Sequence, residues 1–426
     1  MKRRVLAAAG VAATLALVAV ASSTLAGQGS GKPAPPLVIT AYNGGAPIPY
    51  TVPRTPWGDP DLQGTWSSDD AQFGRVGGAA AGAGGGRGGA RGGGGGRAAG
   101  AAPPAGGPPA AAAAPATPPP LYLSEADFAA HQKNIASGVA RSEGDASVGT
   151  FRSDFARRAF RQTRIIVDPP SGQQPQPTEE ARKRAAPRDR GTFGEGPFNT
   201  PEDFTLYDRC ITRGIWGSVM RVVYGNGNRI TQAPGMVAIS YEMIHDTRII
   251  YTDGRPHIGS PIRQYLGDSR GRWEGDELVV ETTNLTDKTS IGLNGNGLRH
   301  SDKMKITERI KRVAPDIVQY QITIDDPVTY PTPFTASLPL TPLDGGDLLP
   351  YDCHEGNLAV LQGLGAERAE DAAIAADLAK GIKRERRGVN QGNQVQGGGG
   401  GARGGGAGAG RGGAPAGPPP EGDIDR

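Results

Sequence analysis

Five histidines offer the widest choice of chemistry in this 426-residue chain, and two of them, His257 and His354, are considered first. Arg255 precedes His257 by two positions, and Glu355 directly follows His354. An imidazole near a carboxylate can serve as a general base, and a guanidinium binds anions. We therefore take Arg255, His257, His354 and Glu355 as candidate ligand-binding residues. The spacing identifies no catalytic residue.

A metal site is the second chemistry that the histidines suggest. His245, His257 and His354 carry imidazole nitrogens, which suit zinc and other divalent ions. The spacing from Glu242 to His245 matches no recognised metal signature, and in a strand these two side chains point to opposite faces unless a turn begins there. Structural hydrogen bonding is the preferred interpretation, and no cofactor is assigned. His131 and His300 are predicted to be exposed polar residues.

Aromatic residues provide a third signal. Trp66 and Trp273 are candidates for the wall of a ligand cavity, where flat apolar rings hold an apolar or glycan-like molecule. Such residues are more often part of a core. The segment Gly267–Gly271 has a serine between glycines, but a hairpin follows it instead of the helix that a nucleophile elbow requires.

The two cysteines, Cys210 and Cys353, both lie in sequence that is predicted to be ordered. In an oxidising compartment they are expected to form one disulfide that closes a loop of more than 100 residues. Two buried free thiols are the alternative.

The elements that position these residues are predicted to be mainly strands. Short β-rich runs separated by turns fill the sequence between Arg213 and Thr335, which is typical of an antiparallel β-barrel or sandwich. Val219–Tyr224 and 229–232 are predicted to form one hairpin across Asn226–Asn228. In 317–325 apolar and polar residues alternate, so this strand has one face in a core.

Peripheral helices are predicted outside the strand region. Ser124 and Thr178 each precede an acidic first turn, as N-caps do, and Thr200-Pro201 is a third start signal that leads towards Cys210. Near the C-terminus, Ile374, Leu378 and Ile382 recur at a spacing of four, which predicts an apolar stripe packed on the barrel.

Composition divides the chain further. A basic start and an Ala-rich apolar run predict a cleaved secretory signal peptide and a periplasmic or secreted protein without membrane attachment. Two tracts of Gly, Ala and Pro are predicted to be disordered. The net charge of +3 indicates no nucleic-acid partner.

The predicted organisation is a signal peptide (1–26), an N-terminal segment with the first strand (27–73), a disordered insert (74–120), a helical or irregular attachment (121–212), an antiparallel β domain (213–340), a C-terminal helical segment (341–387) and a disordered Gly-rich tail (388–426).

Four phrases of the sequence carry a resemblance: PWGDPDLQGTW at 56–66, IVDPP at 166–170, GDSRGRWEGD at 267–276 and CHEGN at 353–357. With them, the chain resembles an uncharacterised family of secreted and periplasmic bacterial proteins. This resemblance implies export and no particular activity. Gly64-Thr65-Trp66 is also similar to the Gly-x-Trp of lipocalin and calycin barrels, which implies a β-barrel around a ligand cavity.

Three functions follow as hypotheses. The first is an exported β-barrel that binds a small ligand or a partner surface without catalysis. The second is a periplasmic hydrolase or metal-dependent enzyme that uses His257, His354 and Glu355. The third is a cell-surface interaction protein that acts through its Gly/Arg-rich tracts.

Overall fold

A computed structural model of the chain describes residues 33–71, 73, 118–144, 156–185, 198–222, 225–292, 295, 297–343 and 345–384. The predicted signal peptide, nearly all of the predicted disordered insert and the predicted Gly-rich tail lie outside these residues. No helix within the described ranges is both long enough and apolar enough to cross a membrane.

Twelve strands occur in the described residues: β1 (Gly64–Ser67), β2 (Ile166–Asp168), β3 (Gly227–Ala233), β4 (Met236–Tyr241), β5 (Thr247–Tyr251), β6 (Asp268–Glu274), β7 (Glu277–Thr283), β8 (Ser290–Ile291), β9 (Leu298–Arg299), β10 (Lys305–Ala314), β11 (Ile317–Asp325) and β12 (Phe334–Pro342). Nine of them close into a barrel in the order β1, β3, β4, β5, β6, β7, β10, β11, β12, because β12 also pairs with β1. The predicted mainly β barrel is thereby confirmed. β2 extends the sheet beyond β12, and β8 pairs with β9.

One pair of barrel strands, β5 and β6, is parallel, with Ile250 opposite Ser269. The other pairs of the closed barrel are antiparallel. A parallel pair requires the connecting chain to return to the end where the first strand began. Segment 252–267 therefore runs back along the barrel before β6 starts.

Alternation along the strands separates the barrel core from a second layer. On β11 the predicted apolar face is confirmed, because Tyr320 and its apolar neighbours at 318, 322 and 324 lie in the core. The opposite face is also buried, because the N-terminal segment covers it. The side-chain oxygen of Gln321 accepts a hydrogen bond from the Val38 N–H at 2.8 Å, and that of Gln319 accepts from the Thr40 N–H at 3.1 Å.

The predicted hairpin around Asn226–Asn228 is wrong. Val219 is the last residue of a helix over 214–219, residues 220–222 form no strand, and β3 pairs with β1 and β4. All six residues of this helix are buried, and Trp216 meets Phe334 of β12 edge to face at 5.7 Å between ring centroids. Because tertiary burial outweighs the β propensity of a short apolar run, the local pattern misled the prediction.

Four α-helices lie in the described residues: α1 (Glu125–Gly144), α2 (Glu179–Ala185), α3 (Gly214–Val219) and α4 (Ala359–Ala379). The predicted caps of α1 and α2 are confirmed, because the Ser124 hydroxyl accepts from the Asp127 N–H and the Thr178 hydroxyl from the Ala181 N–H. The helix predicted to start at Thr200 is only a 3-10 helix of three residues.

The predicted apolar stripe at the C-terminal end of α4 does not pack on the barrel. Leu378 is 69% exposed and Ile382 is 53% exposed. Near its start, α4 is buried at Gly363, which lies against the ring of Phe204. The helix therefore docks through its first half.

Candidate functional site

A disulfide joins Cys210 to Cys353, as predicted. It ties the chain that enters α3 to segment 345–358, which precedes α4. Two residues after Cys210, the Thr212 hydroxyl donates a hydrogen bond of 2.6 Å to Asp246 at the start of β5. The bridge therefore holds segment 345–358 at the end of the barrel where β5 begins.

A cleft of about 340 Å³ opens beside this disulfide. Its lining includes two tyrosines and three carboxylates, and none of the described residues that line it is basic: Tyr207, Tyr351, Asp208, Asp352 and Glu355. A volume of this size falls within the range of small-molecule sites. The cleft has aromatic surface and negative charge, which favour a cation.

Asn357 is the residue that organises the cleft, and the sequence analysis did not single it out. Its side-chain amide donates to the backbone oxygen of Asp208 at 2.9 Å and to the sulfur of Cys210 at 3.1 Å. Its side-chain oxygen accepts from the Ala359 N–H at 3.2 Å, at the first residue of α4. Asn357 therefore couples the disulfide to the start of the helix. The sequence feature that pointed to Asn357 was its position at the end of the CHEGN phrase.

The predicted residues His354 and Glu355 follow the disulfide on this surface. Glu355 lines the cleft, and its N–H donates to the Asp352 carbonyl at 3.2 Å. His354 is exposed and does not line the cleft.

The predicted metal candidate His245 serves as a backbone contact. Its Nε2 lies 3.2 Å from the Leu349 carbonyl oxygen, while the Leu349 N–H donates to Glu242 at 3.4 Å. Both side chains reach the same residue because a turn begins after Glu242, with Ile244 at a φ of 67°. Within the ranges that the structure describes, no three His, Cys, Asp or Glu side chains lie together as a metal site.

Arg255 lies in the segment after β5. Its guanidinium stands 3.9 Å from the centroid of the Tyr251 ring and forms an ion pair with Asp253 at 2.5 Å. The guanidinium of Arg270 on β6 lies over the same ring at 5.3 Å. Although Arg255 is solvent-exposed, its hydrogen bond with Asp253 raises its pKa.

His257 contacts a carboxylate that the sequence analysis did not assign. Its Nδ1 lies 2.7 Å from Oδ2 of Asp268, the first residue of β6. The Thr283 hydroxyl, on the neighbouring strand β7, is 3.3 Å from the same nitrogen. The parallel pairing of β5 and β6 produces this contact, because segment 252–267 returns to the start of β6.

The six predicted ligand-binding residues differ in the contacts that they make. No hydrogen bond or ion pair in the described part of the chain joins Arg255 or His257 to Glu355, and a shared pocket of His257 and His354 stays a prediction. Trp66 is a core residue, 3% exposed, whose Nε1 donates to the Leu62 carbonyl at 3.0 Å. Trp273 is partly buried against the core.

The barrel interior holds a polar cluster that sequence reasoning missed. Arg248 of β5 forms a two-point ion pair with Glu308 of β10, and one of its two contacts measures 2.7 Å. The Tyr320 hydroxyl donates to the same carboxylate at 2.5 Å. Burial is the largest single effect and lowers the pKa of Arg248, but the charge and hydrogen bond of Glu308, together with Tyr241 and Tyr320, outweigh it and raise that pKa. The sequence feature that pointed to this cluster was the two-residue period of β5, which places Arg248 on the same face as the apolar Ile250.

His300 was predicted to be exposed, and this prediction is wrong. The side chain is buried, with Nδ1 2.9 Å from the Ser301 carbonyl oxygen and Nε2 in contact with the Thr289 hydroxyl. Burial lowers the pKa of His300. The Gly/Asn-rich neighbourhood of His300 in the sequence did not indicate that this ring is buried.

No protein-family model, curated protein or solved structure matches this chain. The likeness to secreted bacterial proteins and to calycin barrels therefore stays a prediction.

Proposed function

We propose that the chain is an exported β-barrel protein that binds a small organic cation in the cleft beside the Cys210–Cys353 disulfide. The observation that supports this most strongly is the lining, which combines two tyrosines with three carboxylates and includes no basic side chain among the described residues. The disulfide supports export, because such bonds persist in oxidising compartments.

The chemistry of the lining defines the ligand class. Tyrosine rings attract cations through their negative faces, and carboxylates add charge attraction. The Asp208 carboxylate already has partners within the fold, because it accepts hydrogen bonds from the Thr205 hydroxyl at 2.8 Å and from the Thr205 N–H at 3.2 Å. Asp352 and Glu355 are exposed and supply the recognition charge. The ligand class is therefore a small amine or quaternary ammonium compound.

The barrel interior supports ligand binding less well than the cleft. Its side chains include fully buried large residues, such as Phe334 and Leu278, each with 0% exposure. Trp66, a candidate for a cavity wall, packs among them. The helix α3 is buried against β12 through Trp216 and Phe334. A ligand can reach the cleft without displacing this core.

Calorimetric titration with choline tests the proposal, because 3,3-dimethyl-1-butanol has nearly the same shape without the charge. We expect choline to bind at least about tenfold more tightly than this neutral isostere, a difference of about 1.4 kcal/mol. The double variant Asp352→Asn, Glu355→Gln is expected to remove most of that preference.

Asp253→Asn is the matched control, because it removes an exposed carboxylate that does not line the cleft. It is expected to leave choline affinity within twofold. Equal binding of choline and its isostere, or an unchanged choline affinity in the double variant, would contradict a cation site in this cleft.

A further inference from the structure

The contact between His257 and Asp268 has the geometry of an oriented base. A carboxylate only accepts hydrogen bonds when it is ionised, so Nδ1 of His257 is the donor in the 2.7 Å contact with Asp268. Nε2 then carries the lone pair or the exchangeable proton. Nε2 makes no hydrogen bond to a described residue, and the side chain is 29% exposed. The reactive nitrogen is therefore open to solvent.

Asp268 is firmly held in this orientation. Its side chain is 8% exposed, and it begins β6, where it is paired with Thr283 of β7. Besides His257, its carboxylate accepts a hydrogen bond from the Ile258 N–H at 3.1 Å and forms an ion pair with Arg270 at 2.7 Å. These contacts leave the carboxylate little freedom to turn away from the imidazole.

The guanidinium of Arg270 places positive charge at the dyad, and Arg255 shares an aromatic ring with it. Arg255 and Arg270 both stand over the Tyr251 ring, at 3.9 Å and 5.3 Å from its centroid. Arg270 is the same residue that bonds Asp268, so the two contacts form one continuous cluster. Arg255 is exposed, and its ion pair with Asp253 engages only part of its five-donor guanidinium. The remaining donors can stabilise an oxygen that gains negative charge.

We propose that His257 is the general base of a hydrolytic site for small carboxylic esters, with Asp268 as its positioning residue and Arg255 as the oxyanion partner. None of these three residues lines the cleft at the disulfide, and the proposal does not depend on the function proposed for that cleft.

The reaction needs only water and the ester. Nε2 of His257 takes a proton from a water molecule while the water oxygen bonds to the carbonyl carbon, and the carbonyl oxygen becomes an oxyanion beside Arg255. The carbonyl then re-forms as the bond to the alcohol oxygen breaks. The proton on Nε2 passes to that leaving oxygen, so an acid and an alcohol are released and the imidazole is regenerated.

Hydrolysis of p-nitrophenyl acetate by the full chain tests the proposal. We expect saturable kinetics, with a kcat/KM at least about 100-fold above the rate constant of free imidazole, since positioned general bases contribute about 10² to 10⁴-fold. His257→Gln is expected to remove this excess. Asp268→Asn is expected to lower kcat and leave KM unchanged, a split that general destabilisation would not produce.

His354→Gln is the matched control, because it removes an exposed histidine that the dyad does not contact; its kcat/KM is expected to stay within twofold. Modification of the unaltered protein with diethyl pyrocarbonate gives a test that does not depend on the folding of a variant. Activity should fall in parallel with carbethoxylation of His257, located by peptide mass spectrometry. A rate no higher than that of imidazole, full activity in His257→Gln, or full activity after modification of His257 would each overturn the proposal.

Discussion

His300 is kept neutral by its surroundings. Nδ1 donates to the Ser301 carbonyl and Nε2 accepts from the Thr289 hydroxyl, so both ring nitrogens are used in the neutral form. Burial lowers its pKa below the ordinary value of 6.5. Well above pH 6.5 neither the folded nor the unfolded chain binds a proton at this residue. As the pH falls below 6.5, the unfolded chain becomes protonated first, and the folded state loses stability.

The pH dependence of unfolding should reveal this residue. We expect the free energy of unfolding to fall between pH 7 and pH 5 by up to about 1.4 kcal/mol per pH unit from His300 alone. Urea titrations of the unaltered protein and of His300→Gln, at matched pH values, give the difference curve. This curve is expected to be flat above pH 7 and to decline below pH 6.5. A difference that stays constant down to pH 5 would show that His300 titrates alike in both states.

The candidate residues also show how far a sequence can locate a site. His257 and Arg255 were singled out because imidazole and guanidinium are chemically versatile. Asp268, eleven positions after His257, could not be assigned from the sequence, because its contact with His257 depends on the parallel pairing of β5 and β6. Charge patterns identify the groups that can react, whereas strand pairing decides which of them meet.

At the scale of elements, α4 is attached to the rest of the protein through its first half. Gly363 is buried, and a Cβ built there would lie 2.6 Å from the ring of Phe204. Phe204 is itself stacked on Phe198 at 4.3 Å between centroids, so it has little room to move. At Gly365, two residues further along the same helix, a built Cβ has no contact within 4 Å.

Two glycine substitutions separate helix propensity from docking. Gly365→Ala is expected to stabilise the protein by up to about 1 kcal/mol, because alanine favours the helix. Gly363→Ala makes the same gain in propensity but adds a methyl group to a filled contact, which costs about 1 to 3 kcal/mol. In urea unfolding, Gly363→Ala should therefore be the less stable variant by about 2 kcal/mol. Equal stabilities would mean that α4 does not dock through Gly363.

The predicted elements succeed where the pattern is local and fail where packing decides. The caps at Ser124 and Thr178 and the alternation of 317–325 depend on neighbouring residues, and the structure confirms them. Residues 214–219 lie as a helix because that form buries Trp216 against β12, a contact between residues more than 100 positions apart. No local pattern contains that information.

At the scale of the whole molecule, the closed barrel encloses a charge pair. Arg248 and Glu308 lie on strands that β6 and β7 separate in the sheet, so their contact crosses the interior. Their side chains are 2% and 0% exposed. The Tyr320 hydroxyl adds a hydrogen bond, and burial, followed by the charge of Glu308, raises the pKa of that tyrosine. Every buried charge in this cluster therefore has a partner, and removal of one leaves another uncompensated.

This arrangement predicts an asymmetric response to mutation. Glu308→Gln keeps the shape of the side chain but leaves Arg248 charged and buried, so we expect a loss of about 3 to 5 kcal/mol in the free energy of unfolding. The double variant Arg248→Met, Glu308→Leu removes both charges and is expected to be more stable than Glu308→Gln. Asp276→Asn, which breaks the exposed pair with Arg54, serves as the control and should cost less than about 1 kcal/mol.

Urea unfolding at pH 7 measures all three variants against the unaltered protein. If the uncompensated charge is the cause, Glu308→Gln must be the least stable of them, even though it changes the fewest atoms in the interior. A double variant that is less stable than Glu308→Gln would instead show that the ion pair itself, together with its link to Tyr320, holds β5 and β10 across the barrel. The order of stabilities thus distinguishes a charge that the fold must neutralise from an attraction that closes the barrel.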